Sequence, residues 1–173
     1  SVAVIGDSTF MHSGMTGLAN ISYNATNSTV IILDNSITGM TGHQDNPTTG
    51  KTIRGEETKQ VNLIALCKSI GVDRVVVADP FDVKNFEKVV KEETQADEPS
   101  VIIAQRPCAL LKSVKYTGHC TVGENCKKCK MCLKLGCPAI SMHNKKAHID
   151  ETLCVGCGVC EQLCAFDAIK GEE

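Results

Sequence analysis

No stretch of about eighteen apolar residues occurs in the 173-residue chain, so no segment is long enough to cross a bilayer as a helix. Neither sign of charge dominates: 18 Lys and Arg stand against 20 Asp and Glu, a formal net charge of −2. Without a basic surplus there is no electrostatic case for nucleic acid or an anionic membrane as partner. The opening residues, Ser1-Val2-Ala3-Val4-Ile5-Gly6-Asp7, carry no basic region and no cleavage site, so no signal peptide is expected there. They also lack an initiator Met and start inside an apolar run. The expectation is a chain beginning within a larger polypeptide, its sheet truncated at the amino end. No G-x-G-x-x-G follows either of the first two apolar runs, so the dinucleotide fingerprint is absent.

Cysteine, by contrast, is abundant and unevenly placed. Of eleven, eight fall between Cys126 and Cys164, while Cys67, Cys108 and Cys120 are scattered. The count is odd, and the clustered ones sit two residues apart, a spacing that suits metal ligation better than cross-linking. A reducing, cytoplasmic compartment is expected.

Residues 1 to about 115 alternate short β-branched runs with amphipathic stretches. Val2–Ile5, Val30–Leu33, Val75–Ala78 and Val101–Ala104 read as buried strands, apolar on both faces as parallel strands are. Gly14–Tyr23, Lys59–Ile70 and Val83–Thr94 read as helices. Alternation of this kind predicts a doubly wound α/β layer with a mostly parallel sheet, whose ligands bind beyond the carboxyl ends of the strands. Two of those ends read Gly6-Asp7-Ser8 and Asp34-Asn35. Residues 36–58 form a long polar, Gly/Thr-rich connection of a length that is usually functional or disordered. Residues 113–123 read as a linker, dividing the chain into 1–115 and 116–173, the second a small α+β domain.

That second part is a tandem repeat. Cys126, Cys129 and Cys132 recur as Cys154, Cys157 and Cys160, and the fourth pair is Cys137 and Cys164. Three thiolates at steps of three wrap a loop around a cubic [4Fe–4S] cluster, and in two-cluster ferredoxins the fourth arrives from the other half. By that rule Cys126, Cys129, Cys132 and Cys164 ligate one cluster, and Cys154, Cys157, Cys160 and Cys137 the other. The exchange joins two half-modules too small to hold a core without metal. Gly156 and Gly158 would let backbone amides approach the sulfurs. A pair of structural zinc sites is the alternative, but a zinc knuckle uses two ligands per loop rather than three. The repeat resembles bacterial-type 2[4Fe–4S] ferredoxins. It departs by one extra residue before Cys137 and by Ala165 in place of the second proline.

Asp7 and Asn35 end neighbouring predicted strands. Together they could reach one Mg²⁺, a hard ion that takes oxygen ligands and keeps phosphate oxygens in its sphere, with the Ile37 carbonyl as a third donor. Taken singly, Asp7 reads equally well as a helix cap. The pair resembles the thiamine diphosphate motif, G-D-G to N-N, with Ser8 for the last Gly and Asp34 for the first Asn. Further resemblance lies in Gly6–Gly14, in Leu33-Asp34-Asn35, in Thr38-Gly39-Met40-Thr41-Gly42-His43-Gln44 and in Arg106-Pro107-Cys108-Ala109-Leu110. Together these are similar to the carboxyl-terminal portion of indolepyruvate ferredoxin oxidoreductase alpha subunits, in the 2-oxoacid:ferredoxin oxidoreductase family.

The resemblance implies thiamine diphosphate, Mg²⁺ and two [4Fe–4S] clusters as cofactors. It implies oxidative decarboxylation of aryl-pyruvates with coenzyme A, giving aryl-acetyl-CoA and CO₂, with a second (beta) subunit and an external ferredoxin as partners. On it, Gly6, Asp7, Ser8, Thr9, Asn35, Ile37, Thr41 and Gly42 contact the cofactor, Ser8 and Thr9 serving otherwise as helix caps. His12 and His43 are the candidates for contact with substrate or cofactor, against a solvated role. No residue is a candidate for the carboxylate that activates the cofactor, so the isolated chain is expected to be inactive. Lys127, Lys128, Lys130 and Lys134 are either a solvated face or a surface that steers an acidic ferredoxin. Cys67 reads as a core residue; Cys108 and Cys120 have no assigned role. A different reading makes the chain an electron-transfer module whose α/β part is only a docking scaffold. A third makes both parts metal-stabilised interaction domains.

Overall fold

A computed structural model describes residues 1–115 and 118–172. Its chain contacts divide it into two units, Ser1–Cys108 and Ala109–Glu173. Tyr116 and Thr117, within the expected 113–123 linker, lie outside the described residues.

The first unit is built on four parallel strands, β1 (Val2–Gly6), β2 (Thr29–Asp34), β3 (Arg74–Ala78) and β4 (Ser100–Gln105), in the order β1-β2-β4-β3. All four coincide with the β-branched runs. Between β1 and β2 the chain is helical without a break: a turn α1 (Asp7–Thr9), a π-helical turn Phe10–Gly14, then α2 (Met15–Tyr23). The remaining helices are α3 (Leu63–Ser69) and α4 (Val83–Thr94). The expected helix from Lys59 therefore starts later. Asn62 is extended, and its side chain accepts from the Ala65 amide at 3.0 Å, a cap that sets the first turn four residues downstream.

Helices cover both faces. Phe10, Leu18, Leu63 and Cys67 pack with Val30, Ile32, Val101 and Ile103 on one side. On the other, Phe86, Val89 and Val90 of α4 pack on Ile31, Ile102 and Ala104. Gly14 is required by this packing: a Cβ there would stand 2.8 Å from both Ile5 Cδ1 and Phe10 Cδ2. Cys67 is fully buried, and burial pushes its thiol up to about 11, so it is an inert core residue.

A half-buried ion pair ties α4 to the sheet. Glu93, 5% exposed, accepts from Arg74 Nε at 3.0 Å and Nη2 at 2.8 Å. Arg74→Ala strands that carboxylate. A fully buried orphan costs about 3–5 kcal/mol, but Arg74 is 38% exposed and water screens its side of the pair. A lower urea midpoint is expected for the variant, with Arg74→Lys losing less.

The second unit holds two antiparallel ribbons. β5 (His119–Val122) pairs with β8 (Ile169–Glu172), and β6 (Ile140–His143) pairs with β7 (Lys146–Ile149) through a turn at Asn144 and Lys145, both at positive φ. Each half thus reads strand, cysteine loop, short helical turn, strand. Its opening strand pairs with the closing strand of the other half. β5 corrects the linker reading of 113–123: residues 119–122 form a strand, with Cys120 1% exposed. Their pairing partner lies some fifty residues away, so no local pattern announces it.

Candidate functional site

The register of β1 on β2 places Gly6 opposite Leu33. Asp7 and Asn35 therefore leave the sheet side by side, at the carboxyl ends of adjacent parallel strands. Gly6 is extended (φ −72°, ψ 153°) and is the N-cap of α1, with no side-chain cap bond. Asp7 is the first helical residue, so neither Asp7 nor Ser8 nor Thr9 caps the helix. The leading amides of the continuous helix are left without a side-chain acceptor, the arrangement that receives a phosphate.

Asp7 is 3% exposed. Its Oδ2 accepts from Asn46 Nδ2 at 3.1 Å and from Thr48 Oγ1 at 3.0 Å. Among the described residues no buried side-chain oxygen or nitrogen lacks a partner, and both bonds to Asp7 fall on Oδ2. Oδ1 is thus the oxygen left to ligate. Asn46 Oδ1 in turn accepts from the Thr48 amide at 2.8 Å and lies 2.6 Å from the Thr48 hydroxyl, whose single proton is shared between it and Asp7 Oδ2. The long 36–58 connection is therefore clamped onto Asp7. Asn46 and Thr48 escaped the sequence reading, because a polar pair inside a polar loop carries no periodic signal.

Asn35 Oδ1 accepts from the Ile37 amide at 3.2 Å, across Ser36 at φ 59°. Asp34, where the motif has Asn, is spoken for: Oδ1 accepts from the Ser36 amide and Oδ2 from Gln105 Nε2 at 2.8 Å. Both its oxygens thus help to fix the turn. Ile37 is buried. Thr38 bridges to Gln44, closing a small loop with Gly42 at φ 111° and His43 at φ 59°. Thr41, Gly42 and His43 are exposed on this loop, and His12 is exposed on the π turn. Neither histidine hydrogen-bonds to Asp7 or Asn35. Beside the same edge, Asp34, Thr48, Gln60, Asn62 and Gln105 line a cavity of about 290 Å³. The donors here are oxygens on short, held side chains, a set that fits a hard cation with phosphate.

In the second unit one apolar cavity is lined by Cys126, Cys129, Cys132 and Cys164, with Met142 and Phe166 among its walls. These are the four thiols of the first expected set. Cys126 accepts from the Ala147 and Lys128 amides. Those bonds hold its thiol below the usual range, with Lys146 and Lys128 adding to them and burial opposing. Cys164 Sγ accepts from the Ala168 amide at 3.3 Å. The loops achieve this by turning left-handed at matched places: Lys128 (φ 61°) and Lys130 (φ 64°) in the first half, Gly156 (φ 66°) and Gly158 (φ 72°) in the second. The extra residue before Cys137 is absorbed by a 3₁₀ turn, Met131–Leu135, closed by Gly136 at φ 68°.

Of the second set, Cys160 is buried among Cys154, Cys157 and Cys120. Burial, reinforced by those neighbours, pushes its thiol up to about 12. Cys137 packs in the same apolar cluster as Cys154 and Cys160. Among the described residues no three His, Cys, Asp or Glu converge to hold a single metal ion. Thiols around a cavity, with amides aimed at sulfur, suit a cube better than a zinc tetrahedron.

Residues 1–104 match the family model described as thiamine pyrophosphate enzyme, C-terminal TPP binding domain. Residues 147–170 match that of the 4Fe-4S binding domain. The chain is 41% identical to indolepyruvate oxidoreductase subunit IorA of Thermococcus kodakarensis, over 98% of this chain and 28% of that protein. It is 40% identical to the Archaeoglobus fulgidus subunit of that name, with the same coverage. It thus spans about 28% of the length of these relatives. A solved 2-oxoglutarate:ferredoxin oxidoreductase from Magnetococcus marinus shares the fold, with a TM-score of 0.57 at 19% identity over 65% of this chain and 42% of that one.

Proposed function

The chain belongs to the thiamine pyrophosphate enzymes, through their C-terminal TPP binding domain, and from that premise we propose that it is part of a 2-oxoacid:ferredoxin oxidoreductase subunit. In this reading the enzyme oxidatively decarboxylates an aryl-pyruvate with coenzyme A to aryl-acetyl-CoA and CO₂. The two electrons released pass singly through two [4Fe–4S] clusters to ferredoxin, and a second subunit completes the enzyme. The observation that carries the reading is the pairing in one chain of a buried Asp7 beside Asn35 with four cysteines around one cavity.

Asp7 Oδ1, Asn35 Oδ1 and the Ile37 carbonyl would hold Mg²⁺. The uncapped amides of α1, with Ser8 and Thr9, would hold the diphosphate. Asn46 and Thr48 keep Asp7 oriented and close the 36–58 loop against it. Thiamine diphosphate, when bound, supplies the electron sink that decarboxylation of a 2-oxoacid needs. Cys126, Cys129, Cys132 and Cys164 would hold one cluster; Cys137, Cys154, Cys157 and Cys160 would hold the other, separating a two-electron oxidation into single steps.

The competing reading, an electron-transfer module on an inert scaffold, is separated by heat. Thiamine diphosphate with Mg²⁺ at a hundred times its Kd should stabilise the α/β unit by about 2.7 kcal/mol. No protection at any concentration would favour the scaffold.

The lysines of the first cysteine loop offer a second check. Lys127, Lys128, Lys130 and Lys134 are all exposed. Two of them hold left-handed φ values, at a cost of about 1 kcal/mol or more each that glycine would avoid. In the second half the same places are glycines. A charge retained at a strained position suits a docking role for an acidic ferredoxin. Changing all four to Glu should slow ferredoxin reduction by about tenfold or more at low salt, with the difference shrinking as salt is added. An unaltered low-salt rate would remove the docking role.

A further inference from the structure

The two halves of the cysteine unit repeat one another in spacing but not in charge or exposure. Between Gly123 and Ala139 the first loop carries four lysines against one acid, Glu124. Between Ile149 and Ala168 the second has no Lys or Arg and four acids, Asp150, Glu151, Glu161 and Asp167. Exposure divides the same way. Cys129, the middle thiol of the first loop, is exposed, whereas its counterpart Cys157 is half-buried. Met131 is 48% exposed, and Val159, at the same place in the second loop, is 7% exposed. Ligand spacing alone demands none of this difference.

Resting on the ferredoxin-linked reading above, we propose that electrons leave this chain at the first cysteine set, to an acidic iron–sulfur protein seated on Met131 and Phe166 within a rim of lysines. Met131 and Phe166 share the walls of one cavity with Lys127, Lys128 and Lys130 and with the four thiols of that set. Phe166 is 43% exposed. An apolar centre inside a charged rim is the anatomy of a protein contact. The rim steers an oppositely charged partner, and the centre, once dry, holds it. The second loop offers an acidic carrier no such seat. Its exposed apolar residue, Leu153 (54% exposed), follows Asp150 and Glu151, which repel a negative partner. The step is a transfer of one electron from the cluster held by the first set to the oxidised cluster of the carrier; no bond breaks and no proton moves. The second set, in the less exposed loop, is then the one that passes electrons to the first.

The test uses the complete enzyme, purified anaerobically, with an acidic 2[4Fe–4S] ferredoxin as probe. Carbodiimide coupling of the wild type joins lysines to carboxylates in contact with them, and mass spectrometry of the product should find the links at Lys127, Lys128, Lys130 or Lys134. Calorimetric titration then compares variants whose iron content matches the wild type. Met131→Gln with Phe166→Gln should weaken ferredoxin binding by about tenfold. That loss should persist at high salt, which screens only the lysine contribution. Leu153→Gln should bind as the wild type does. Links confined to other lysines, such as Lys84, Lys88 and Lys91 of α4, would overturn the proposal without recourse to any variant. An unchanged Kd in the double variant, or a loss in Leu153→Gln instead, would overturn it too. Failure of the wild type to bind ferredoxin at any salt concentration would defeat the ferredoxin-linked reading itself.

Discussion

Cys132→Ser is expected to halve the iron of the anaerobically purified protein and to abolish one of its two EPR signals. Cys132 is 9% exposed and shares its cavity wall with Cys126, Cys129 and Cys164. A hydroxyl there is a poor ligand for iron and is buried without its proton's usual partners. The damage should also spread. Cys164 comes from the second half, and β5 pairs with β8 across the repeat, so losing the first cube loosens both ends of the unit. Its own apolar core is little more than Ala139, Ala147, Ile149 and Ile169 besides the cysteines, too small to fold without metal. A lower melting temperature for the second unit is therefore expected along with the lost iron. Cys67→Ala is the control: the thiol lies in the core of the other unit, so iron should stay at the wild-type level. Equal iron in Cys132→Ser and wild type would contradict the assignment.

Asp7→Asn is expected to abolish the protection that thiamine diphosphate and Mg²⁺ give against heat, and to cut turnover of the complete enzyme by at least about a hundredfold. Removing the charge removes the anionic ligand for a divalent ion. The bound cation often carries the largest local charge in such a site, so its loss outweighs any hydrogen bond. The unliganded fold should tolerate the change. An amide oxygen can still accept from Asn46 Nδ2 and Thr48 Oγ1. Asp7→Ala leaves those donors unmatched, which should cost about 1–3 kcal/mol of stability. The pair of variants thus separates ligand binding from folding. Undiminished protection in Asp7→Asn would mean that Asp7 does not hold the ion.

The four strands of the first unit were legible because β-branched runs of this length leave little choice. α4 was legible from its periodicity, beginning at Val83 and ending at Thr94 as expected. The start of α3 was not. Lys59-Gln60-Val61 continues a helical pattern, and only the Asn62 cap bond marks where the turn begins. The π turn at Phe10–Gly14, where Gly14 packs closely on Ile5 and Phe10, is reported by no single-sequence periodicity. Asp7 and Asn35 were legible as a pair, since spacing and residue type both pointed to adjacent strand ends. Asn46 and Thr48, which hold Asp7 in place, were not. Their role is a matter of how a long loop folds back, and its sequence offers many equivalent polar residues. Cys120 was hidden for a related reason. A cysteine outside the repeat carries no spacing, and β5 acquires its meaning only from β8.

The most direct measurement is quantitative iron, acid-labile sulfide and zinc analysis of the anaerobically purified protein, with EPR of the dithionite-reduced sample. Equal iron and sulfide, enough for two cubes per chain, with two reducible signals and negligible zinc, is the predicted result. Stoichiometric zinc, or iron sufficient for a single cube, would contradict it.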